Sequence, residues 1–105
     1  TVVYRMSGAF FFGAASTVGS VLDRLADHRK NFILDCAAVP FLDSTAANVL
    51  EGAAKKAQRA GIRFVISGAN PAARRMLLTH GVKAPLVEFA TTIDDARTLL
   101  KAERA

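Results

Sequence analysis

Residues 32–67 read FILDCAAVPFLDSTAANVLEGAAKKAQRAGIRFVIS. The segment opens with Phe32 to Val39, a continuous and mostly apolar run, as a strand buried on both faces requires. Pro40 ends the run. Asp43 or Ser44 then caps a helix that continues to Ala60, a side-chain oxygen taking up a free backbone N–H. Leu50, Ala53, Ala54 and Ala57 give this helix a narrow inner face of mostly small residues, which can sit close to a sheet. Glu51 and Lys55 form a favourable pair one turn apart on the outer side. Gly61 supplies the stop, and Ile62 to Ser67 reads as a second strand. A strand, a helix and a strand in this order form the unit of a parallel sheet with a right-handed crossover.

The pattern extends in both directions. Downstream, Gly68-Ala69 turns, Asn70 caps, and Pro71 takes the first helical position, where its missing N–H costs nothing. That helix turns Met76 and Leu77 inward and ends at His80-Gly81. Leu86 to Phe89 is a last short strand. Thr91 or Thr92 with Asp94 or Asp95 gives a capping box for a final helix presenting Ile93, Ala96, Leu99 and Leu100. Upstream, Val2 to Met6 alternates as a strand, Ser7-Gly8 turns, and Phe10 to Phe12 reads as a short second strand. From Ala14 to Ala26 the period changes, with Val18, Val21, Leu22 and Leu25 at helical spacing. The expected order is ββαβαβαβα. This is one α/β domain over residues 1–105, with a mixed, mostly parallel sheet of four to five strands and about four helices. The two opening strands are too close for a crossover and are expected as an antiparallel edge.

Composition narrows the function. With 51% apolar and 22% charged residues, the chain has the composition of a folded domain. One cysteine excludes an internal disulfide framework and a multi-cysteine zinc site. The greasiest stretch, residues 8–15 (GAFFFGAA), is far shorter than the roughly 20 residues of a spanning helix. No Walker loop, GxGxxG, GxSxG or HExxH is present, so no catalytic residues and no metal site are expected. His28 and His80 each lie near a helix C-terminus, where the dipole favours them. Cys36 reads as a small core residue. Asp35, a carboxylate inside an apolar strand, needs a partner.

Val39 to Ala46 joins a buried strand to a helix N-terminus, where anions are welcome and where ligands of open α/β sheets dock. Capping explains one of Asp43, Ser44 and Thr45, but not three in a row. With these residues in place, the chain resembles a STAS domain over nearly its whole length. Asp43-Ser44-Thr45-Ala46 is similar to the family's Asp-Ser-Ser/Thr-Gly, with Ala46 departing from the Gly. Gly8 to Ala15 resembles the Gly-x-Leu/Phe-Phe-Phe-x-x-Ala segment of the STAS domains of SulP anion transporters, and Gln58 to Gly61 leading into IRFVIS also fits the family.

The resemblance implies a non-catalytic regulatory and interaction domain of a SulP-type sulfate or anion transporter, on the cytoplasmic face of the inner or plasma membrane. The start at Thr1 rather than Met agrees with a piece of such a longer membrane protein. The alternative it implies is a free-standing anti-sigma-factor antagonist switched by phosphorylation at Thr45. Partners would be the membrane domain of the same transporter, a second STAS domain or an acidic cytosolic protein. Nucleic acid is not expected, because aromatic residues do not interleave with the basic ones. No cofactor is expected, although Asn70 with Arg74 offers a place for a nucleotide or anion. Phe11 and Phe12 are candidate interface residues, because alternation leaves at least one phenylalanine of the FFF run off the core. The net charge of +5 clusters at Lys55, Lys56, Arg59 and Arg63, with Arg74-Arg75 on the next helix.

Overall fold

The computed structural model describes residues 2–7, 31–39, 42 and 44–102. The expected strand at Phe10 to Phe12, the helix at Ala14 to Ala26, His28 and Asp43 lie outside them. Among the described residues four strands form one sheet: β1 (Val2–Ser7), β2 (Phe32–Ala38), β3 (Phe64–Ser67) and β4 (Glu88–Ala90). Helix α1 (Ser44–Arg59) joins β2 to β3, α2 (Pro71–Thr79) joins β3 to β4, and α3 (Ile93–Ala102) follows β4. The strands lie in chain order, β1-β2-β3-β4, and all three ladders are parallel. The expected α/β class and the helix-for-helix alternation from β2 onward are therefore present.

Alternation along each strand sorts side chains between two layers. Phe32, Leu34 and Cys36 of β2 and Phe64 and Ile66 of β3 share one core with α1 and α2. Ile33 and Val65 face the other way, against Ala96 and Leu100 of α3. The paired strands bring Phe32 opposite Phe64, and their rings meet edge to face with centroids 5.2 Å apart. That geometry adds about 0.5–1.5 kcal/mol beyond the buried area. Helix α1 buries Ala46, Ala47, Leu50, Ala53, Ala54 and Ala57. This is the expected small-residue face, one turn longer at its start. Leu50 is its one large anchor, fully buried, and contributes about 1.5–3 kcal/mol of transfer free energy.

Helices α1 and α2 end in the same way. The N–H of Gly61 donates to the carbonyl of Gln58 and that of Ile62 to Ala57. In α2, Gly81 donates to Leu78 and Val82 to Leu77. Both are Schellman closures, with a left-handed glycine followed by a buried apolar residue. The closure explains why β3 begins at Phe64 rather than at Ile62: the Ile62 N–H belongs to the helix end. Likewise, β4 begins at Glu88 rather than Leu86, because Leu86 and Val87 both donate to the Lys83 carbonyl in a turn.

Candidate functional site

The loop after β2 is held by Val39 and Leu42, both buried. Helix α1 then starts with alternating roles. Ser44 and Thr45 are exposed, whereas Ala46 and Ala47 are buried. Ala46, where the motif calls for glycine, is 3% exposed and belongs to the core. Thr45 thus stands in the first turn of a sixteen-residue helix, with its hydroxyl side on the surface. Free backbone N–H groups there favour an added negative charge. Val49, one turn on, is 40% exposed and is one of two large apolar side chains left open among the described residues, the other being Leu78. Phe11, Phe12 and Asp43 lie outside the described residues.

Asn70 and Arg74 have separate tasks. Asn70 Oδ1 accepts from the Ala73 N–H at 2.8 Å, capping α2. Its Nδ2 donates to the Val39 carbonyl at 3.5 Å, tying the start of α2 to the end of β2. The Arg74 guanidinium lies over the Phe89 ring, 4.9 Å from its centroid. Arg74 and Phe89, with Gly68, Ala69, Ala90 and Thr91, line a cleft of about 210 Å³ at the carboxyl ends of β3 and β4.

The sequence singled out Asp35 but not its partner. The register sets Arg5, Asp35 and Ser67 side by side across three strands. Ser67 is fully buried and donates through Oγ to Asp35 Oδ1 at 3.0 Å. The Ala37 N–H donates to the same oxygen at 3.4 Å. Above this row lies the first turn of α3, capped by Thr92, whose Oγ1 accepts from the Asp95 N–H at 3.0 Å. Arg5, Asp35, Thr91, Asp94 and Arg97 are among the residues lining a cleft of about 380 Å³ between them. The signal for Ser67 was present in the sequence, as a hydroxyl closing an apolar strand, but only the register joins it to Asp35.

The remaining reactive side chains are structural. Cys36 is buried, and desolvation, with the Asp35 charge adding to it, pushes its thiol from 9.0 up to about 12. It is therefore a neutral thiol at physiological pH and a poor nucleophile. His80 caps the end of α2, with Nδ1 3.1 Å from Asn48 Oδ1. Among the described residues no group of three His, Cys, Asp or Glu side chains could hold a metal ion. No helix among them is long and apolar enough to cross a membrane.

The fold as a whole is shared with known proteins. The STAS domain of a SulP transporter from Vibrio cholerae matches with a TM-score of 0.80 and 29% identity, covering 98% of this chain and 84% of its own. A sulfate transporter family protein from Wolinella succinogenes matches with a TM-score of 0.82 and 28% identity, covering 95% of this chain and 84% of its own. The anti-sigma factor antagonist SpoIIAA in its unphosphorylated form shares the fold, with a TM-score of 0.72 and 16% identity over 95% of this chain and 87% of its own. No curated protein matches the chain in sequence. The model of the STAS domain matches residues 1–96. With the parallel sheet, its crossover helices and a match over residues 1–96 that agree, the chain belongs to the STAS domain family.

Proposed function

We propose that the chain is the non-catalytic regulatory and protein-interaction domain of a SulP-type sulfate or anion transporter, positioned on the cytoplasmic face of the inner or plasma membrane. The observation that carries this reading is the identity of 29% and 28% with two transporter-family proteins over almost the whole chain, against 16% with the antagonist. Its partners are the membrane domain of the same transporter or a second STAS domain. The exposed start of α1, with Ser44, Thr45 and Val49, is the surface offered to them. The test is the reading frame upstream of Thr1. Ten or more apolar spans encoded there support the reading, and a start codon immediately before Thr1 overturns it.

The exposure of Thr45 in the first turn of α1 favours a second reading, an antagonist switched by phosphorylation. A phosphoryl group on Thr45 would add about two negative charges where a partner docks. Incubation with a cognate kinase followed by mass spectrometry tests it: a phosphate on Thr45 is the expected product, and an unmodified Thr45 refutes it.

A further inference from the structure

In a parallel sheet the crossover helices run against the strands, and this sorts the charge of the domain. Toward the edge where the strands begin lie Lys55, Lys56, Arg59, Arg63, Lys83 and Lys101, against Glu51 and Glu88. Toward the edge where they end lie Arg5, Arg74, Arg75 and Arg97, against Asp35, Asp94 and Asp95. Among the described residues the first end carries +4 and the second +1.

Part of this asymmetry serves the helices. α1 and α3 end at the basic edge, and Lys56, Arg59 and Lys101 sit in their last turns. With α2, three helix C-termini point to this edge and supply roughly −1.5 in all, short of the positive excess. Lys83 lies outside any helix. Lys55 pairs with Glu51 at 3.7 Å, and Arg63 pairs with Glu88. Arg59, Lys83 and Lys101 are exposed, and none has a carboxylate within ion-pair range among the described residues.

The chemistry of this end selects a partner. Protein interfaces bury aromatic and apolar anchors and are depleted in lysine. Here the exposed charged groups are Lys55, Arg59, Lys83 and Lys101. Of the two exposed large apolar side chains, Val49 lies in the first half of α1, away from this end, and Leu78 near the end of α2 is a lone apolar group among the cations. A charged lipid surface requires only diffuse positive charge on long side chains. We propose that the strand-start end of the domain docks electrostatically on anionic phospholipid headgroups. This rests on the placement of charge and is independent of the transporter reading.

Flotation of the chain with vesicles tests the proposal. At low salt it binds vesicles of phosphatidylcholine with phosphatidylglycerol, not phosphatidylcholine alone, and high salt releases it. The double variant Arg59→Gln/Lys83→Gln partitions about 30-fold more weakly, roughly fivefold for each cation removed. Arg74→Gln/Arg75→Gln loses the same net charge farther from the surface and is weakened clearly less than the first variant, because screening reduces the contribution of the more distant cations. Far-UV circular dichroism confirms that both variants are folded. Failure to bind the anionic vesicles, equal losses in the two variants, or binding that persists at high salt each overturns the proposal. So does retention on polyglutamate without vesicle binding, which would mark an acidic protein as the partner.

Discussion

One methyl group added at Gly68 and one added at Gly52 should move stability in opposite directions. Gly68 has φ 71°, and a Cβ built there meets Ala37 Cβ at 2.9 Å and the Ala37 backbone Cα and N at 3.0 Å. The left-handed conformation costs alanine about 1–2 kcal/mol. Reduced freedom of the unfolded chain returns about 0.4–1 kcal/mol. The contact is with backbone of β2, which cannot swing aside as a side chain would, so overpacking adds about 1–3 kcal/mol. Gly68→Ala should therefore destabilise by about 1–4.5 kcal/mol, centred near 3, which lowers Tm by about 12–24 °C at the centre of that span for a domain of this size. Gly52 lies in the middle of α1, exposed, with nothing within 4 Å of the added carbon. Gly52→Ala should stabilise by about 0.8–1 kcal/mol through helix propensity alone. Thermal and urea unfolding followed at 222 nm on the same preparations measures both. Wild-type stability in Gly68→Ala would refute the close approach of β3's exit to Ala37, and with it the wall of the cleft beside Arg74. A loss of stability in Gly52→Ala would refute the open outer face of α1.

Asn70→Ala removes the cap of α2 and its tie to Val39, and should cost about 1–2 kcal/mol in urea unfolding, whereas Asn70→Asp keeps the cap and loses only the tie, since a carboxylate cannot donate to the Val39 carbonyl. The Cys36 thiol should resist thiol reagents in the native protein at neutral pH and react only on unfolding. Because its pKa is raised on folding, the unfolded chain releases the proton first. Stability is intact below about 9 and falls as pH climbs toward about 12, by about 1.4 kcal/mol per pH unit from this group alone. Alkaline unfolding of Cys36→Ala should show a shallower decline, and an identical slope would refute the burial of the thiol.

The parts of the fold that were legible in sequence are those decided locally. Asn70-Pro71, Thr92 with Asp95, and Gly61 each declare a helix end through chemistry within a few residues, and each stands where expected. The inner face of α1 was equally readable, since Leu50, Ala53, Ala54 and Ala57 follow the helical period. Strand limits were less so. Ile62 and Leu86 have the side chains of strand residues, but their N–H groups are claimed by turns before any ladder begins. At the site, the exposure of Ser44 and Thr45 follows from their place in the helical period. The Arg5–Asp35–Ser67 row does not, because it depends on which strands are neighbours and in what register.

The alanine face of α1 has a consequence for how the domain can change. Five of its six buried residues are alanine, which lose no side-chain entropy on packing and let the helix lie low on the sheet. Nothing smaller but glycine can replace them, and anything larger must lift or tilt the whole rod. The head of that rod is the turn that carries Ser44 and Thr45. A substitution such as Ala54→Val, deep in the interior, would therefore displace that turn without touching a residue on it. Core volume and the position of an exposed turn are mechanically one variable in this domain, so the turn can be moved from within.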